Sequence, residues 1–246
     1  MKSVEVTLYT TANIKERHIA DNLLSLLESI ALVPEKVGQT EPLRELYSRD
    51  RAADLWAHED DGCYVDGKGM VGKTGGIIAK SRRPNFFVQS TWWDCPDRLN
   101  LSWVTVDIAE RDFKKYSTEV LIFFEKAIEL LHACYGYVAP DTTVYRQHVS
   151  GRLDTRMPGV FWFNYFGQPY VEFFTKEKIT AYPWHSIQET KAGGLFISLV
   201  DDYTIVLESD EYENKAKSFL GSSSFGNVEE YLKNPRKIQI RDVPRL

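Results

Sequence analysis

Cysteine is scarce in this chain: Cys63, Cys95 and Cys134 are the only three among 246 residues, odd in number and far apart. That excludes a disulfide-dense scaffold, and all three read as reduced thiols. Long apolar runs are also missing. Nothing approaches the roughly 20 consecutive apolar residues of a membrane-spanning helix. The opening Lys2-Ser3-Val4-Glu5-Val6 has no apolar core of the kind a secretory signal needs, so a cytoplasmic location is expected. Clustered positive charge is missing too. The net charge is −5, and the densest basic stretch, Lys80-Ser81-Arg82-Arg83, is too short to neutralise a run of phosphates. Neither nucleic acid nor membrane is therefore an expected partner.

What the chain does have is acid in clusters and aromatic side chains in excess. The acids gather at Glu59-Asp60-Asp61, at Asp201-Asp202 and around Glu208, Asp210, Glu211 and Glu213. Such runs are usually solvated loops, but they also suit an electropositive protein surface and speed encounter with it. Glu59, Asp60 and Asp61, in a Gly-rich stretch, are the first candidates for partner contact, and Asp201 and Asp202 the second.

The outline is α+β, a largely antiparallel sheet built from hairpins with packing helices. Val4, Val6 and Leu8 alternate with Glu5, Thr7 and Tyr9 as a first strand. Apolar positions Ile19, Leu23, Leu27, Ile30 and Ala31 at helical spacing predict a helix over 14–31, stopped by Pro34, and a second runs from Pro42 to about Trp56. Residues 57–75, rich in Gly and Asp, read as a loop. Phe86 to Trp93 and Leu99 to Trp103 read as a hairpin around Asp94-Cys95-Pro96-Asp97. Val120, Phe124, Ile128 and Leu131 carry a strong helix over 113–135, with Gly136 as its stop. Leu195–Val200 and Tyr203–Leu207 read as a hairpin turning at Asp201-Asp202, followed by a short helix over 214–220. No low-complexity linker divides the chain, so residues 1–246 read as one domain, although blocks 1–136 and 137–246 could stand as two lobes.

The densest aromatic segment is Met157 to Phe174. Val160–Phe166 and Tyr170–Phe174 are runs of β-favouring residues around Gly167-Gln168-Pro169, which predicts a mostly buried antiparallel hairpin interrupted by Asn164 and Glu172. The same residues carry a resemblance. Gly159, Trp162, Asn164, Tyr165, Phe166, Gly167, Pro169, Tyr170, Val171, Glu172, Phe173 and Phe174 resemble the central motif of the immunity protein 52 family, small cytoplasmic bacterial proteins that neutralise polymorphic toxins, many of them nucleases. Gly75-Gly76-Ile77 to Arg82-Arg83, with Phe86, Phe87 and Trp92, is similar as well. The resemblance implies a non-enzymatic protein of a type VI secretion setting, bound to a toxin encoded by a neighbouring gene. It assigns no catalytic residue.

One motif points elsewhere. Gly67-Lys68-Gly69-Met70-Val71-Gly72-Lys73-Thr74 satisfies the phosphate-loop pattern G-x-x-x-x-G-K-[ST]. A working phosphate loop needs a buried strand before it and a helix starting at the Lys. Upstream lies the polar Glu59–Asp66 stretch and downstream Gly75-Gly76, so a nucleotide-dependent enzyme is only the alternative reading. A sheet-edge binding module is a third. His58 with Glu59-Asp60-Asp61 lacks calcium-loop spacing. His148, Arg152, Asp154 and Arg156 could form a polar cluster beside the aromatic segment. His185, next to Trp184, reads as a packed or capped side chain. No catalytic, cofactor or metal residue is assigned.

Overall fold

The alternation at the N-terminus becomes a strand, β1 (Ser3–Thr10), whose Val4, Val6 and Leu8 are buried. In a computed structural model of the chain, residues 2–65, 69–96, 98–147, 152–234 and 240–246 are described, Tyr64 and Val65 by backbone alone. The chain divides into two compact units, Ser3–Ala133 and Cys134–Leu246.

In the first unit β1 is followed by α1 (Arg17–Ser29), β2 (Lys36–Gly38), β3 (Glu45–Leu46), α2 (Arg49–Trp56), β4 (Asp60–Val65), β5 (Gly69–Gly75), β6 (Ile78–Arg82), β7 (Asn85–Asp94), β8 (Ser102–Ala109) and α3 (Glu110–Leu131). The sheet runs β1-β8-β7-β6-β2-β3, with β5 and then β4 branching from β7, and its pairings are antiparallel. Strict alternation on β7 and β8 sends Phe86, Val88, Trp92, Val104, Val106 and Ile108 inward. Helices α1 and α3 pack together, and their buried faces, Leu23, Leu24 and Leu27 with Val120, Phe124 and Ile128, close the core.

The second unit contains β9 (Tyr135–Pro140), α4 (Asp141–Gln147), β10 (Phe163–Phe166), α5 (Gln168–Phe174), α6 (Lys176–Ala181), β11 (Ser186–Glu189), β12 (Leu195–Ser198), α7 (Ile205–Glu208), α8 (Glu211–Leu220) and α9 (Val228–Lys233). Its strands are ordered β11-β12-β10-β9, again antiparallel. The α+β class with a mainly antiparallel sheet is thus the observed one.

Several local expectations are corrected. Residues 57–75 are not a loop: β4 and β5 form a hairpin with Asp60 opposite Thr74 and Cys63 opposite Val71. The second helix starts at Arg49, where Ser48 Oγ accepts from Arg51 N, rather than at Pro42. Helix α3 stops before Gly136, because His132 takes a left-handed conformation (φ 47°) and Ala133 N closes back on Ile128 O at 3.0 Å. The segment after Asp201-Asp202 is helical. Asp202 Oδ1 accepts from Thr204 N and Thr204 Oγ1 at 2.8 and 2.7 Å, a turn that leads into α7 where a strand was expected. Of the cysteines, Cys63 and Cys95 are joined as a disulfide with Cα atoms 6.1 Å apart, and buried Cys134 takes no part in a disulfide.

The aromatic hairpin is the largest correction. Only Phe163–Phe166 is strand. Gly167, in extended conformation, caps a helix instead, and Pro169 sits in its first turn, where a missing N–H breaks no helical bond. Tyr170 N and Val171 N bond back to Gly167 O at 3.0 and 3.1 Å. The helix buries Tyr170, Val171 and Phe174, one face at i, i+1, i+4, and leaves Glu172 exposed and Phe173 half-buried.

Candidate partner-binding surface

The residues of the family-like motif are structural. The stretch 159–162 lies outside the assigned strands, and neighbouring side chains bond much of its backbone. Tyr135 Oη donates to Gly159 O at 3.0 Å. The buried Gln147 amide donates to Val160 O at 3.0 Å and accepts from Val160 N at 3.1 Å. The Asn164 amide, fully buried, donates to Phe161 O at 2.8 Å and accepts from Phe161 N at 2.9 Å. Leu199 N donates to Trp162 O at 2.8 Å. Two buried carboxamides thus act as strand substitutes, each presenting one donor and one acceptor to a single residue. Trp162 is buried, donates Nε1–H to Val200 O at 3.1 Å and meets the Tyr203 ring edge-on at 5.6 Å. Tyr165 and Phe166 are buried on β10. Gly194 lies so close to the Tyr165 ring that a Cβ there would stand 2.4 Å from its oxygen. Glu172 Oε1 accepts from Gln168 Nε2 at 2.7 Å on the exposed face of α5.

The acidic candidates behave differently. Glu59, Asp60 and Asp61 are exposed, at the start of β4 and just before it. Strand β4 pairs only with β5, so its outer edge is open among the described residues. Asp61 Oδ1 lies 3.4 Å from Lys73 Nζ across the hairpin, Asp60 Oδ1 3.7 Å from His58 Nε2, and Glu59 Oε1 3.9 Å from Lys15 Nζ. Lys15 is held more tightly by Asp94, at 2.8 Å, and the hydrogen bond to Asp94 pushes its ammonium above the ordinary lysine range. Glu59, Asp61 and Asp94 therefore share two lysines here and Asp60 has His58, and apart from Lys15–Asp94 the contacts are long, solvated and worth little each. A negative excess stays available to a partner. Charge along the chain repeats the pattern. Residues 3–133 contain 21 acidic and 16 basic side chains, whereas the rest of the chain contains 14 of each. The whole net negative charge thus belongs to the first unit.

Asp201 and Asp202, in the second unit, are exposed, but one oxygen of each accepts a local backbone N–H: Asp201 Oδ1 from Asp202 N at 3.0 Å and Asp202 Oδ1 from Thr204 N. They serve the turn first. Arg152 and Asp154 pair with each other at 2.7 Å, Arg156 is buried and donates to Met157 O, and His148 lies outside the described residues. His185 is exposed rather than packed, with only its backbone N bonded to Ser198 O. Among the described residues no group of three His, Cys, Asp or Glu side chains could hold a metal, and no helix is long and apolar enough to cross a membrane.

The phosphate-loop pattern does not fold as one. Gly69–Gly75 is strand β5, with Lys73 opposite both Asp61 and Asp94, Thr74 donating to Trp92 O at 2.7 Å, and strand β6 rather than a helix following. Gly67 and Lys68 lie outside the described residues.

The sequence reading missed the Cys63–Cys95 pairing and a buried ion pair. Arg146 reaches Glu213 Oε2 at 2.8 Å and donates to Val206 O and Ser209 O, tying α4 to both ends of the α7–α8 connection. Glu213 is fully buried, and burial pushes its carboxyl up against the pull of Arg146. Charge order along α8 gave no hint of that burial, because Glu213 sits among exposed acids.

No protein-family model matches the chain, and no curated protein matches it. The fold is similar to that of a solved structure titled "Pseudomonas aeruginosa T6SS protein PA0821", with a TM-score of 0.57 and 12% sequence identity, covering 99% of this chain and 79% of that one. At that identity the likeness is one of fold.

Proposed function

We propose that the chain is a non-enzymatic, immunity-type inhibitor that binds a cognate secreted bacterial toxin and blocks it by occlusion. The observation that carries this reading is the exposed, weakly compensated acid at Glu59, Asp60 and Asp61, at the start of an open strand edge and in the unit that holds all of the net negative charge. An acidic face of this kind complements a basic substrate groove and steers association with it. The motif resemblance to the immunity protein 52 family supports the reading, and so does the fold shared with a type VI secretion system protein. The partner is a protein encoded next to this gene. Nucleic acid, membrane and cofactor have no part in the proposal.

The test is protection. Expression of the chain together with the toxin encoded beside it should restore growth, and loss of protection with an Asp60→Lys, Asp61→Lys double variant would assign the contact to β4. No protection from any neighbouring gene product would overturn the proposal. One observation favours a second reading as a sheet-edge binding module. Strand β11 is exposed at all four residues, pairs among the described residues only with β12, and presents Ile187 to solvent.

A further inference from the structure

The β4–β5 hairpin is joined to the rest of its sheet by very little hydrogen bonding. Among the described residues β5 pairs with β7 over three positions only, Lys73 with Asp94, Thr74 with Trp93 and Gly75 with Trp92, and β4 pairs with β5 alone. The Cys63–Cys95 disulfide begins where that ladder ends. Cys63 lies opposite Val71, beyond the last residue of β5 that reaches β7, and Cys95 is the first residue after β7.

Two glycines allow the approach. A Cβ on Gly62 would stand 2.7 Å from the backbone carbon of Lys73. A Cβ on Gly72 would stand 2.5 Å from Asp94 O and 2.6 Å from Cys95 Cα, and Gly72 has φ +71°, where side chains are rarely accommodated. Cys95 is fixed on its own side, because the Asn100 amide accepts from Cys95 N at 2.9 Å and donates to Cys95 O at 3.1 Å. Both cysteines are buried. The backbone is thus shaped to bring this pair together.

We propose that the Cys63–Cys95 disulfide is a redox-conditional staple that holds the β4–β5 arm on β7 only in the oxidised protein, so that the protein works in an oxidising compartment. Its formation takes two protons and two electrons from the two thiols. They pass to an external disulfide, that of a thiol oxidoreductase or of oxidised glutathione, which leaves as two thiols. In the reduced protein the outer part of the arm depends on the three-position ladder and opens locally. The inference replaces the cytoplasmic expectation, since stable disulfides persist outside the reducing cytosol. It does not depend on the toxin reading.

The test needs no partner. The purified chain is equilibrated with oxidised glutathione or with dithiothreitol, thiols are counted by alkylation and mass spectrometry in denaturant, and amide exchange is followed over β4 and β5. The oxidised protein should show one thiol, Cys134, and the reduced protein three. Reduction should speed exchange in the arm by about tenfold or more, while β1, β8 and β10 stay protected. A Cys63→Ser, Cys95→Ser double variant should exchange at the fast rate under both conditions. Three thiols after oxidation, or equally slow exchange in all forms, would overturn the staple. Alkylation in intact cells of the producing bacterium should find Cys63 and Cys95 blocked, and full labelling of both would overturn the compartment.

Discussion

Replacing Asn164 with Leu keeps the branch at Cγ but exchanges the amide oxygen and nitrogen for two bulkier methyl groups, so both hydrogen bonds are lost and any overpacking adds to the cost. The side chain is completely inaccessible, and its amide makes two bonds to one residue, accepting from Phe161 N at 2.9 Å and donating to Phe161 O at 2.8 Å. Both backbone groups are buried with Phe161, and Leu leaves both unpaired. At about 1–3 kcal/mol for each orphaned group the expected loss is about 2–6 kcal/mol. For a chain of this size that corresponds to a fall in melting temperature of roughly 2–4 °C per kcal/mol. Calorimetry or circular dichroism would read the shift. Hydrogen exchange would localise it, with amides of β10 and β12 losing protection while β7 and β8 keep theirs. An Asn164→Leu protein with an unchanged melting temperature but lost toxin binding would refute the reasoning and make this motif residue a contact instead of a clamp.

Arg146→Met should destabilise the second unit by about 3–5 kcal/mol near pH 7, because it leaves Glu213 buried without its partner. Burial already raises the Glu213 carboxyl, and Arg146, more than Lys217, is what pulls it down. A folded-state value above the unfolded one stabilises on the acid side and is lost as pH rises, so the deficit of the variant should shrink as pH falls from about 7 to about 5; thermal melts across that range check it, and a deficit constant with pH would contradict the assignment. Magnesium with millimolar ATP or GTP should leave the melting temperature unchanged, since Lys73 lies in a strand and faces Asp61; an upward shift abolished in Lys73→Ala would restore the nucleotide-enzyme reading. Trp162→Ala should cost about 3–5 kcal/mol of stability by cavity formation, read in the same melts, with a silent melt pointing to a surface role.

Where one face of an element is solvated and the other buried, the period was readable. β1, β7 and α3 stand within a few residues of where the period places them, whereas the strand read over 99–103 is β8, which runs from Ser102 to Ala109. Where burial is two-sided or a turn decides, it was not. Tyr170 to Phe174 is rich in β-favouring residues, yet Gly167 and Pro169 start a helix there, and tertiary packing overrides propensity. The 57–75 segment reads as a loop because it is rich in Gly and Asp. Gly62, Gly72 and Gly75 are there for close approach, to Lys73, to Asp94 and Cys95, and to the Trp92 ring. His132 stops α3 in a conformation usually left to Gly or Asn, so Gly136 was a false stop. Of the acidic candidates, Glu59, Asp60 and Asp61 are exposed to solvent, whereas Asp201 and Asp202 also cap a turn that spacing alone could not show.

The central claim is that this chain acts by binding a toxin through complementary charge, and the kinetics of the purified pair test it most directly. Surface-based binding of the chain to the product of the adjacent gene should give a dissociation constant in the nanomolar range or tighter, and an association rate that falls as salt rises. The Asp60→Lys, Asp61→Lys variant should associate more slowly with a flatter salt dependence while dissociating at a similar rate. No binding to that partner at micromolar concentration, with the chain folded by its melting curve, would contradict the account.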